Sequence, residues 1–69
     1  MDEVRSIVVE IESLKQQKQF QEAIALLENG LLKHSDDYRL YDELADIHLD
    51  NGSLEKSITA VELALRLTP

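Results

Sequence analysis

The sequence contains no cysteine, no tryptophan, a single proline and only two glycines among its 69 residues. Without thiols there can be neither a disulfide staple nor a thiolate metal site. The redox compartment is left unread, although the absence fits an intracellular protein. The proline is the last residue and the glycines are Gly30 and Gly52, so long stretches run without a strong breaker. Cations are scarce as well: seven Lys and Arg stand against 14 Asp and Glu, a net charge of −7. That balance argues against nucleic acid, whose phosphates need a surplus of basic groups. It argues equally against an anionic membrane surface. A partner steered by charge should be basic. No run is long and apolar enough to cross a bilayer, and Met1-Asp2-Glu3 lacks the basic start of a signal peptide. The protein is therefore expected in the cytoplasm.

What is present is helix-forming: Leu, Ile, Glu, Gln, Ala and Lys dominate. Apolar residues recur at helical spacing in four stripes. Val4, Ile7, Val8, Ile11 and Leu14 form the first, and Phe20, Ala23, Ile24, Leu27 and Leu31 the second. Leu40, Tyr41, Leu44, Ala45, Ile47, His48 and Leu49 lie on a third helix, and Leu54, Ile58, Val61, Ala64 and Leu65 on a fourth. The spacing predicts helices over about 2–17, 20–34, 37–51 and 54–67. Polar breaks separate them. Ser35 or Asp36 is expected to cap the third helix, and Ser53 the fourth. Gly52 is expected to end the third helix in a left-handed conformation. Asn29-Gly30 could be a turn, but the apolar pattern runs on through Leu31, which favours helix. The fold class is all-α: two tandem antiparallel hairpins, a piece of an α-solenoid.

Shifting the chain by 34 residues lays one half on the other. Phe20 falls on Leu54, Ile24 on Ile58, Leu27 on Val61, Gly30 on Ala64 and Leu31 on Leu65. Two helices per 34 residues is the period of the tetratricopeptide repeat. The second half resembles that family in Tyr41, Leu44, Ala45 and His48 on one helix and Gly52 at the turn. Ser57, Val61 and Ala64 on the next helix and Pro69 complete the pattern. The first half is similar through Ile7, Ile11, Leu14, Phe20, Ala23, Leu27 and Gly30. It departs where Glu10 replaces Leu, Ile11 a small residue, and Lys18 the turn glycine. The first hairpin is therefore expected to splay or to start its helix differently. The resemblance implies one domain over 1–69, with repeat one at 4–37 and repeat two at 38–69.

Residues for chemistry are few. His34 and His48 sit on different helices; His48 occupies a packing position and His34 a helix end, so no metal site is expected. No phosphate loop or nucleophile elbow appears, and neither enzyme activity nor a cofactor is expected. Gly52-Ser53-Leu54 is faintly similar to the serine site of acyl carrier proteins, which are also small, acidic and four-helical. That family places Asp before the serine, where Gly52 stands, and Ser53 has a simpler role as a cap.

The resemblance implies an interaction module whose first helices line a concave groove. Carried over, its groove positions are Arg5, Val8, Glu12, Lys15 and Gln16, then Arg39, Asp42, Asp46, Leu49 and Asp50. Asp42, Asp46 and Asp50 are spaced i, i+4, i+8 and form one acidic stripe, mildly destabilising by like charge. A basic or amphipathic peptide or partner helix fits that wall, with Leu49 as its floor. Repeat hairpins also need neighbours. Ile58, Val61, Leu65 and Leu67 are expected to lack a following hairpin, and Ile7, Val8, Val9 and Ile11 make the first helix apolar. Either the chain is part of a longer array, as Pro69 at a repeat boundary favours, or copies pack end to end or exchange hairpins into a homo-oligomer.

Overall fold

A computed structural model describes residues 2–69. It contains four helices: α1 Glu3–Gln16, α2 Phe20–Lys33, α3 Tyr38–Asp50 and α4 Leu54–Leu67. They lie within two residues of the predicted spans. α1 pairs with α2 and α3 with α4, and α3 also lies against both helices of the first hairpin. α4 packs on α3 alone. The result is a slab of 28 × 27 × 16 Å.

The core is shared by the first three helices. Val4, Ile11, Ala23, Leu27, Leu40 and Ile47 form its buried cluster, and Ile7, Leu14, Phe20, Ile24, Leu31 and Leu44 pack around it. α2 runs through Asn29-Gly30 without a turn. Gly30 is buried, and a β-carbon there would meet Ile7 Cδ1 at 3.4 Å and Leu40 Cδ1 at 3.5 Å. A small residue at this point lets α1 and α3 approach α2 together.

The two hairpin turns are built alike, 34 residues apart. In the first, Lys18 N–H donates to Lys15 O at 2.9 Å and Gln19 N–H to Leu14 O at 2.9 Å. In the second, Gly52 N–H donates to Leu49 O at 3.1 Å and Ser53 N–H to His48 O at 2.7 Å. This is the paired closure of a Schellman ending, which requires a left-handed residue. Gly52 supplies it at φ 81, and Lys18 supplies it at φ 59 despite its side chain. The missing turn glycine changes the strain and leaves the turn's hydrogen bonds intact.

The hairpins differ in closeness. α1 and α2 share a smaller contact than α3 and α4, in keeping with the expected splay. Ile11, fully buried at the small-residue position, occupies space that Ala45 leaves free in α3. There Ser57 approaches closely enough for its hydroxyl to donate to Ala45 O at 2.9 Å.

Two capping expectations need correction. α3 is capped by Asp37, not by Ser35 or Asp36: its carboxylate accepts from Arg39 N–H at 3.0 Å. Ser53 stands at the start of α4 but makes no side-chain capping bond. Its neighbour Gly52 closes the preceding helix, and the turn fixes Ser53 by its backbone instead. A further cap was not foreseen: Asp2 accepts from Val4 and Arg5 N–H at the start of α1.

Candidate functional site

α1 and α3 lie side by side, and the residues on their shared face make the site. At one end Arg39 joins the two helix starts. Its Nε and one terminal nitrogen hold both oxygens of Asp37 at 3.0 and 2.7 Å, while the other reaches Asp2 at 2.7 Å. These hydrogen bonds hold the carboxyls of Asp37 and Asp2 below the usual carboxylate range. Arg39 is thus committed to the two caps and is no free groove cation. Arg5, at the equivalent position of the first repeat, pairs with no carboxylate among the described residues.

Midway along the face, Lys15 bridges α1 to α3. Its ammonium hydrogen-bonds Asp46 at 2.7 Å and lies 3.4 Å from Glu43 Oε1. Glu43 is only 15% exposed in its side chain, and that oxygen has no hydrogen-bond partner. Burial pushes its carboxyl up, against the pull of Lys15. Glu43 was not among the predicted groove residues. Its position facing Lys15 across two helices carries no local sequence signal.

Two clefts open on this face. One, of about 310 Å³, lies between α1 and α3 and is lined by Arg5, Val8, Val9, Glu12, Arg39, Asp42 and Glu43. The other, of about 360 Å³, lies between α3 and α4 and is lined by Asp42, Glu43, Asp46, Leu49, Ser57 and Val61, with Ala45 at its base. Asp42 and Glu43 border both. Of the predicted groove positions, Arg5, Val8, Glu12, Arg39, Asp42, Asp46 and Leu49 line one cleft or the other, and Lys15 spans the helices behind them. Gln16 and Asp50 are exposed beyond the clefts. The acidic stripe is not uniform. Asp46 is bound by Lys15, whereas Asp42 and Asp50 face no cation among the described residues.

Against known families, the tetratricopeptide repeat profile matches residues 14–69. The chain belongs to the tetratricopeptide repeat family. Searches of curated proteins and of solved structures find no match. The matched stretch takes in the whole second repeat and the second helix of the first, where the motif residues are most regular. Tetratricopeptide repeats are generally protein–protein interaction modules and typically non-enzymatic. No helix among the described residues is long and apolar enough to cross a membrane.

The repeat register explains the remaining surface. On α2, Phe20, Ile24, Leu27 and Leu31 lie under α3, with Leu27 fully buried. Their counterparts on α4 are uncovered: Leu54 is 60% exposed, Ile58 52%, Val61 42% and Leu65 70%. Leu54 was not singled out from the sequence but belongs to this row. Leu67, which was, lies elsewhere: it is half-buried beside Asp36, Asp37, Tyr38 and Pro69. The opposite end does not match the apolar surface expected of α1. Ile11 is fully buried, Ile7 and Val8 are half-buried, and only Val9 stands out at 61%. Where α3 offers Leu40, Leu44 and Ile47 to α2, α1 carries exposed Ser6, Glu10 and Ser13.

Proposed function

We propose that the chain is a protein-binding module whose joined clefts hold a basic or amphipathic peptide segment along α3. The carrying observation is Asp42. It borders both clefts, is exposed, and has no cation beside it among the described residues. Glu12 and Glu43 add carboxylates to the first cleft, and Val8 and Leu49 provide apolar floor in each. A segment with alternating cationic and apolar side chains satisfies both.

Titration of a lysine-leucine amphipathic peptide tests this. Asp42→Asn with Asp46→Asn should weaken binding about threefold to tenfold and flatten its salt dependence, as loss of partly exposed ion pairs does. Unchanged affinity in the double variant would sink the reading.

Self-association through α4 is a second reading, favoured by the row Leu54, Ile58, Val61 and Leu65. The polar outer face of α1 opposes head-to-tail stacking of copies, because it would set Glu10 and two serines against leucine and isoleucine.

A further inference from the structure

We propose that the exposed row on α4 is a docking site for a partner's amphipathic helix with basic flanks, seated on α4 as α3 is seated on α2. The reasons come from the chain's own interface and its charges. Leu54, Ile58, Val61 and Leu65 follow spacings of four, three and four, the seam of a helix that receives another helix. The same positions on α2 already receive one, and α3 fills them with Leu40, Leu44 and Ile47. The occupant of α4 therefore presents a comparable apolar face.

Charge selects which helix that is. Exposed Glu55 and Glu62 follow Leu54 and Val61 in sequence and so run along one edge of the seam. On the other edge the seam meets the cleft at Val61, where Asp42 and Asp46 stand. A helix lying there has carboxylates on both sides, and lysine or arginine at its flanks answers them. A second copy does not. Two α4 helices paired antiparallel about a point between Ile58 and Val61 bring Glu55 of each beside Glu62 of the other, and each copy carries −7. Stacking α1 of another copy on α4 offers Ser6, Glu10 and Ser13 in place of leucines.

The register adds one detail. Lys15 reaches from α1 to Glu43 and Asp46 of α3, but its counterpart on α3 is Leu49. The docked helix should therefore lack the carboxylates that α3 presents at those two places.

The proposal shares the groove's carboxylate wall, and rests on the groove reading for that edge alone; the apolar seam is independent of it. The probe is a helix-stapled peptide of the Tyr38–Asp50 sequence carrying Glu43→Lys and Asp46→Lys, with the unaltered sequence as control. Fluorescence anisotropy should give the altered peptide about tenfold higher affinity than the control. Ile58→Asp and Leu65→Asp in the protein, both at exposed positions that line neither cleft, should each cost at least about tenfold while the helical circular dichroism persists. Three results overturn the proposal: no binding of the altered peptide at high micromolar concentration, equal binding of both peptides, or indifference to Ile58→Asp. Sedimentation of the unliganded protein supplies a fourth. A dimer dissolved by Ile58→Asp makes a second copy the occupant. If Asp42→Asn with Asp46→Asn fails to weaken the lysine-leucine peptide while Ile58→Asp still abolishes this one, the groove reading falls and the seam stands.

Discussion

Lys18 shows how one residue can depart from a pattern without changing the structure it serves. Its backbone takes the left-handed conformation, at φ 59, that Gly52 takes at φ 81 in the other hairpin. A β-carbon in that region is crowded by the following carbonyl, costing roughly 1–2 kcal/mol, a penalty glycine escapes. Lys18 is exposed, so no packing depends on its side chain. Lys18→Gly should therefore raise stability by about 1 kcal/mol, read as a gain of roughly 5 °C in thermal midpoint. Gly52→Ala should move the midpoint the other way. A Lys18→Gly variant that melts no higher than the parent means the turn is not held left-handed in solution. At this scale the sequence was legible where geometry is local. Gly52 as a helix ending follows from its missing side chain alone. The caps were less legible, because Ser35, Asp36 and Asp37 are three adjacent candidates of similar quality. What selects Asp37 is Arg39, which grips both of its carboxylate oxygens and also reaches Asp2 on another helix. That choice depends on the folded arrangement of α1 beside α3.

Among the elements, α1 and α3 are joined by two sets of charges with opposite pH behaviour. Asp37 and Asp2 have carboxyls lowered by hydrogen bonds from Arg39. A lowered folded-state value means their stabilisation is present above the ordinary carboxylate range and is lost as pH falls through the lowered value. Glu43 has a carboxyl raised by burial, so its contribution favours the fold at low pH and is lost as pH rises through that range. The variant Asp37→Ala isolates the first set. It should cost about 1 kcal/mol at pH 7, the usual effect of removing a helix cap. Thermal melts should show the gap between variant and parent narrowing from pH 5 to pH 3, as the parent's own Asp37 becomes protonated. A gap that stays constant across that range means the carboxylate acts by shape and not by charge. The groove belongs to this scale too. Helical spacing and the family pattern pointed to Asp42, Asp46 and Leu49, and these border the clefts. Glu43 escaped notice because its role arises only when Lys15 is brought across from 28 residues earlier in the chain.

Over the whole molecule the consequence is a gradient from a closed end to an open one. α2 and α3 are each packed by more than one helix and hold the cluster of Ala23, Leu27, Leu40 and Ile47. α4 touches α3 alone, and its tie to it runs through small residues: Ser57, Ala60 and Ala64 are what it buries. Few large apolar groups are lost from the interior when it detaches, so the hydrophobic cost of opening it is low. The polar outer face of α1, with Ser6, Glu10 and Ser13, tolerates water as a terminal surface. The outer face of α4, with Leu54, Ile58, Val61 and Leu65, does not. Repeat proteins lose cooperativity along such gradients, because each unit is held mainly by its neighbours. Native-state hydrogen exchange should therefore find the amides of α4 opening at a free energy at least about 1 kcal/mol below those of α2. A helix docked on the seam should narrow that difference, since a ligand that binds only the closed form stabilises it by mass action. Uniform protection across all four helices in the unliganded protein would contradict this. It would mean that the short contact between α3 and α4, with the Ser57 hydroxyl on Ala45 O at its centre, binds the last helix as firmly as the leucine-rich core binds the others.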